Sequence, residues 1–150
     1  DAEGFYQAIS GNFVLKYKIL NANSLHCKLS GNTNGWIAVG FDPTDRMKDA
    51  NFIIGYVSQG LGYIRDDYGI STTAHASDTS IGGTSDVSLI SAFEIDAKTH
   101  LEFVIPLNSG DSKDRVLLPG NSYQVIFASA AEDDFEGYHS TTGVATIILR

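Results

Sequence analysis

Hydrophobic and polar positions alternate along much of this chain. Leu25-His-Cys-Lys-Leu29 puts Leu25, Cys27 and Leu29 on one face and His26 and Lys28 on the other. Phe13 to Leu20 alternates in its second half, and the turn residues Asn21-Ala-Asn-Ser24 join the two runs. Strand, short turn, strand predicts a hairpin, with His26 on its solvent face. His100 to Pro106 repeats the pattern, with Leu101, Phe103 and Ile105 inward and a proline closing the strand. Asp86 to Glu94 reads as a strand with Val87, Leu89, Ser91 and Phe93 inward. Two runs depart from alternation: Gly35-Trp-Ile-Ala-Val-Gly-Phe41 and Asn51-Phe-Ile-Ile-Gly-Tyr-Val-Ser58 are apolar or small on both faces. Such strands are covered on both sides. Ala38 and Gly40 oppose large residues, which suggests that something bulky approaches them closely.

Leu61 to Tyr68, Asn121 to Ser129 and Val144 to Leu149 complete roughly nine short strands, with no helical period of any length. Residues 69–85 are small, polar and without periodicity, so they predict a long loop, which carries His75. There is no internal repeat and no linker. The expectation is one all-β domain over residues 1–150, an antiparallel β-sandwich.

Charge narrows the partners. A formal net charge of −8 argues against nucleic acid and against an anionic membrane surface. The single cysteine, Cys27, excludes an intrachain disulfide, a zinc site on paired cysteines and covalent haem attachment through C-x-x-C-H. Its place in an apolar run reads as core. No apolar run approaches the ~18 residues of a membrane-spanning helix, so no membrane insertion is expected. The chain begins at Asp1 without an initiator methionine, compatible with a mature secreted protein or a trimmed one.

Chemistry-bearing motifs are sparse. There is no G-x-S-x-G, H-E-x-x-H or Walker loop. Asp66 and Asp67 are adjacent on a strand, point to opposite faces and cannot act as a carboxylate pair. The acidic loop Glu132 to Glu136 is either a calcium loop or a solvated surface, and the regular calcium-loop pattern is absent. His26, His75, His100 and His139 show no metal spacing among themselves; His139 stands beside Tyr138 at a strand entrance. The only methionine, Met47, lies among Asp45, Arg46, Lys48 and Asp49, outside any apolar period. It is either an exposed loop residue or a soft thioether ligand for haem iron or copper.

Taken together, these segments resemble the DOMON family, in its haem-binding branch of cytochrome domains such as that of cellobiose dehydrogenase and related bacterial b-type cytochromes. The resemblance rests on Gly35 to Phe41, Met47 to Val57, Arg65-Asp-Asp-Tyr68, Phe103 to Leu107 with Gly110 to Asp114, Val125 to Ala128, and Tyr138-His139-Ser140 with Gly143 and Ile147 to Leu149. Asn51 departs from the family's usual Asp. The resemblance implies an immunoglobulin-like β-sandwich with one non-covalent haem b at one end. Met47 and His139 would be the axial ligands. Trp36, Phe41, Phe52, Ile54, Phe127 and Tyr138 would be candidate walls. Tyr68, Arg46 or Lys48 would meet a propionate. On that basis the protein is an electron carrier rather than an enzyme, extracytoplasmic (periplasmic or secreted), with a redox protein or a dehydrogenase domain as partner. The alternative is a non-redox DOMON module binding a sugar or a protein.

Overall fold

The computed structural model describes residues 1–135 and 139–150. Eleven strands are described: β1 (Tyr6–Ser10), β2 (Phe13–Leu20), β3 (Ser24–Gly31), β4 (Ile37–Phe41), β5 (Asn51–Ser58), β6 (Leu61–Gly69), β7 (His75–Ser77), β8 (Ser88–Ile95), β9 (Lys98–Pro106), β10 (Ser122–Ser129) and β11 (Thr141–Ile148). They form a five-stranded sheet in the order β1-β2-β3-β9-β8 and a six-stranded sheet in the order β11-β10-β4-β5-β6-β7. All pairings are antiparallel. The expected all-β antiparallel sandwich is therefore the fold.

The core lies between the sheets. Phe13, Leu15, Leu25, Cys27, Leu29, Leu101, Phe103 and Ile105 come from one sheet, and Ile37, Val39, Phe41, Ile53, Val125 and Phe127 from the other. Full burial of each large apolar side chain contributes about 1.5–3 kcal/mol before the entropy of ordering it. The burial pattern of β3 follows the alternation read from its sequence, with Cys27 inside and its thiol pushed up by burial. Ser10 and Tyr17 hold β11 against the other sheet: the Val144 N–H donates to Ser10 Oγ (3.0 Å) and the Ile148 N–H to the Tyr17 hydroxyl (3.3 Å).

Three expectations change. β1 has no sequence signal, because only Ala8 of its five residues is buried. β7 lies inside the polar stretch expected to be loop, and forms because β6 offers it an edge to pair with. In β8 the register shifts between Leu89 and Ser91, so Ala92 opposes Leu101 and Phe93 opposes His100. Phe93 therefore faces outward, 48% exposed and stacked on His100, rather than inward. A bulge moves every later side chain to the other face.

The six-stranded sheet is apolar on its outer face as well. Trp36, Ala38, Ala50, Phe52, Ile54 and Ala130 form a second buried cluster there, with Met47, Tyr56, Ile126, Ala128 and Phe135 packed against it. This is the structural reason that β4 and β5 do not alternate.

Candidate functional site

A cavity of about 610 Å³ lies on that outer face. Its floor is laid by Ala38 of β4, Phe52 and Ile54 of β5, and Ile126 and Ala128 of β10, with Trp36 beside them. Thr142 and Val144 of β11 bound one side, and Thr72, Thr73, Ala74 and His75 the other. Ala38 is small where the cavity opens. Gly40 is small for a different reason: a Cβ there would lie 2.5 Å from the Phe52 ring and 2.9 Å from Ile126. Its size admits Phe52, not a ligand.

Met47 and His139 both line this cavity. They arrive from opposite ends of β4. The loop bearing Met47 leaves β4 after Phe41, whereas His139 precedes β11, whose Thr141 pairs with Ser129, itself the partner of Ile37. Ser140 anchors the His139 side, its N–H donating to the Ser129 carbonyl at 2.8 Å. The cavity therefore lies across a sheet face, with the Met47 loop at one end of β4 and His139 at the other.

The Met47 loop is tightly made. Asp42, Arg46 and Asp49 all have left-handed backbone, at φ 54°, 54° and 65°. Lys48 N–H donates to the Asp45 carbonyl (2.9 Å) and Thr44 N–H to the Lys48 carbonyl (2.9 Å), so Met47 sits in a closed turn. Asp49 N–H donates to the Gly69 carbonyl (2.8 Å) and Gly69 N–H to the Ala50 carbonyl (3.0 Å), fastening the turn to the end of β6. Any Cβ on Gly69 would run into the Met47 carbonyl. Glycine here is a condition for where Met47 stands.

Behind one wall is a charged network. Arg65 donates from Nε to Asp67 Oδ1 (2.6 Å) and from Nη2 to Oδ2 (2.8 Å). His75 Nδ1 lies 2.6 Å from Asp67 Oδ2. Asp67 is fully buried. Burial alone would raise its pKa, but the hydrogen bonds from His75 and Arg65 outweigh it and the net shift is downward. An ionised Asp67 makes His75 Nδ1 the donor and fixes that ring's tautomer. Sequence reasoning left His75 in an unpatterned loop. The available signal was the Arg65-Asp66-Asp67 strand end that pairs with it. The Trp36 indole N–H is also buried at this cavity, with no hydrogen-bond partner among the described residues.

The other expected site residues divide. Phe41 is fully buried in the core between the sheets, because it shares the inward face of β4 with Ile37 and Val39. It is not a cavity wall. Tyr68, expected to meet a propionate, does not line the cavity either. It pairs with Asn51, one residue out of phase with the outward Phe52–Asp67 pair, and its hydroxyl donates to Asp49 Oδ1 (2.7 Å). Phe127 touches the lining, but its ring stacks on Phe13 inside the sandwich at 5.3 Å. Arg46 lines the cavity and Lys48 does not. Tyr138 lies outside the described residues.

The two-sheet antiparallel sandwich is shared with solved cytochrome domains. The chain is similar in structure to the cytochrome b domain of pyranose dehydrogenase from Coprinopsis cinerea, with TM-score 0.66, 11% identity, and 90% of this chain and 75% of that one covered. It is similar also to the cytochrome domain of Myriococcum thermophilum cellobiose dehydrogenase, with TM-score 0.68, 9% identity, and 95% and 82% covered. The DOMON domain model matches residues 9–130, and the chain belongs to the DOMON domain family. In sequence it is 30% identical over 115 residues to DBH-like monooxygenase protein 1 of Mus musculus and 28% identical over 117 residues to that of Homo sapiens. Those matches cover 75% and 76% of this chain but only 18% of either relative.

Proposed function

We propose that this domain is an electron-transfer b-type cytochrome, holding one non-covalent haem b in the outer-face cavity with Met47 and His139 as axial ligands. One observation carries the reading: the only thioether of the chain and an imidazole distant in sequence line the same apolar cavity, from loops at opposite ends of β4. The residues present fit such a group. The floor is apolar, both ligand types are at hand, and the unpartnered Trp36 N–H offers a donor to a polar substituent. Haem b would supply a one-electron iron couple, whose potential thioether ligation and burial both raise.

The chain's own residues do the rest. Ala38, Phe52, Ile54 and Ile126 keep water from the floor. Arg46 brings a positive charge to the rim, suited to a carboxylate. With Met47 and His139 both holding the group, the domain would be a carrier and not itself an enzyme. Its partner is then a redox protein or a dehydrogenase domain, and its place is outside the cytoplasm.

Purified protein supplied with haem is expected to be red, with a sharp Soret band and resolved α and β bands on reduction. Met47→Ala is expected to open a coordination position and lower the potential. His139→Ala is expected to abolish the low-spin spectrum. A colourless protein that takes up no haem would sink the proposal and leave a sugar- or protein-binding module. Loss of the low-spin spectrum in His75→Ala, but not in His139→Ala, would transfer the imidazole role to His75.

A further inference from the structure

On the face of β6 turned away from the cavity, four carboxylates converge. Asp66, Asp78, Asp86 and Asp114 each present an oxygen, and these atoms lie within 4.8 Å of one another. They come from four separate segments: β6, the 3-10 turn Asp78–Ile81, the approach to β8 and the loop after β9. Asp66 and Asp78 are buried, at 2% and 0% exposure. Among the described residues no Lys, Arg or His is paired with any of the four.

Three of them have part of their capacity met. Asp66 Oδ2 accepts from the Asp86 N–H (2.9 Å), Asp114 Oδ2 from the Ser109 hydroxyl (2.7 Å), and both Asp86 oxygens from Thr84 Oγ1 (3.2 and 3.0 Å). With its amide nitrogen turned inward, Asn51 donates to Asp66 Oδ1 (2.8 Å) and Asp114 Oδ1 (3.0 Å). Asp78 differs: among the described residues no donor reaches either of its buried oxygens, and its carboxyl group lies against that of Asp114. A buried carboxylate aimed at three others, with no donor of its own, is an arrangement that only a proton or a cation relieves.

We infer that Asp66, Asp78, Asp86 and Asp114 form a calcium-binding site independent of the haem cavity. The donors are all oxygen and there is no sulfur or imidazole, which selects a hard cation over zinc or copper. The number of carboxylates selects among hard cations: calcium takes six to eight oxygen ligands and suits a cage built by the protein, whereas magnesium keeps several of its waters and takes one or two carboxylates. Turning the Asn51 amide would bring its oxygen to the same centre as a fifth donor. Asp86 and Asp114 are half-buried and give the ion a way in. Burial, and then the charge of neighbouring carboxylates, raise the pKa of Asp78, Asp66 and Asp114 without the ion, while Asp111 and Lys113 flank the cluster. Bound calcium would tie four chain segments together on the strand whose next residue, Asp67, holds His75 at the cavity.

The test uses the full chain, treated with chelator and returned to metal-free buffer, both with and without haem. Calcium chloride is titrated in, followed by calorimetry and thermal unfolding. One site is expected. At calcium near 100 times the Kd the folding constant should rise ~100-fold and the Tm by roughly 5–10 °C, in either haem state. Magnesium at the same concentration should do far less. Asp78→Asn and the more exposed Asp86→Asn should each weaken calcium at least tenfold. Wild-type protein that shows no calcium heat and no Tm change would overturn the inference, since protons then satisfy the cluster. Wild-type affinity in every variant that folds would overturn it equally. Both results leave the haem spectrum, and so the cytochrome reading, untouched.

Discussion

Asp67 is the residue on which the cavity wall turns. It is fully buried, yet it takes three charge-assisted hydrogen bonds from Arg65 and His75. Its pKa is lowered against the pull of burial. The sign follows: a carboxylate with a depressed folded pKa contributes stability above its unfolded value near ~3.9, and that stability is lost as pH falls through the lower folded value. Asp67→Ala removes the carboxylate that both the Arg65 guanidinium and the His75 imidazole bond, and should cost about 3 kcal/mol at pH 7. Urea denaturation checks this, and the gap between variant and wild type should narrow as the pH falls from the unfolded value near ~3.9 through the lower folded value. A gap that widens in acid would mean that Asp67 is not the ionised partner. Tyr68 answers to the opposite face. Its phenol is pushed up to about 12 by burial and by the Asp49 carboxylate it donates to, so it is committed to the loop rather than to a ligand.

At the scale of elements, the turn carrying Met47 depends on β6. Three left-handed residues make the turn, and Gly69 receives it. Gly69→Ala puts a methyl group into the Met47 carbonyl, with backbone rather than a flexible side chain in the way. The loop must lift. The expected cost is about 1–3 kcal/mol, with weaker haem binding and a spectrum that moves toward that of Met47→Ala. Matched denaturation and haem titrations would show both. Unchanged haem binding in a folded Gly69→Ala protein would show that the turn finds its place without β6. The bulge in β8 works in the same way on a different edge: one extra residue turns Phe93 out to stack on His100 and sets Ala92 inward opposite Leu101.

At the scale of the molecule, the two candidate ligands meet only when β4, β10 and β11 are assembled with their loops at both ends. An unfolded chain has no such site, so on the proposed function haem would bind the folded state alone. At ligand near 1,000 times the Kd this linkage contributes ~4 kcal/mol. For a domain of this size the Tm should rise by roughly 8–16 °C over the haem-free protein. Scanning calorimetry of the two forms measures it directly, and equal melting temperatures would count against a haem site on this face.

The sequence by itself determined the sandwich. Period-two alternation in β3 and β9, two-sided apolar runs in β4 and β5, and glycine-rich turns between them are local patterns, and they read correctly because each strand's inward face is set residue by residue. It also singled out Met47, a thioether with no apolar period to join. Only the tertiary structure decided the rest. Strand direction turned Phe41 and Tyr68 away from the cavity, since which face of a two-sided strand meets which layer is a property of the packed sheets. Pairing across β6 and β7 brought His75 to Asp67 from within a loop that has no pattern. Asp66, Asp78, Asp86 and Asp114 are scattered along the chain with no motif spacing, and nothing short of the folded arrangement gathers them. A strand reports its own faces in its sequence. Contacts between distant segments are fixed by the closure of the sheets, and so they appear only in the fold.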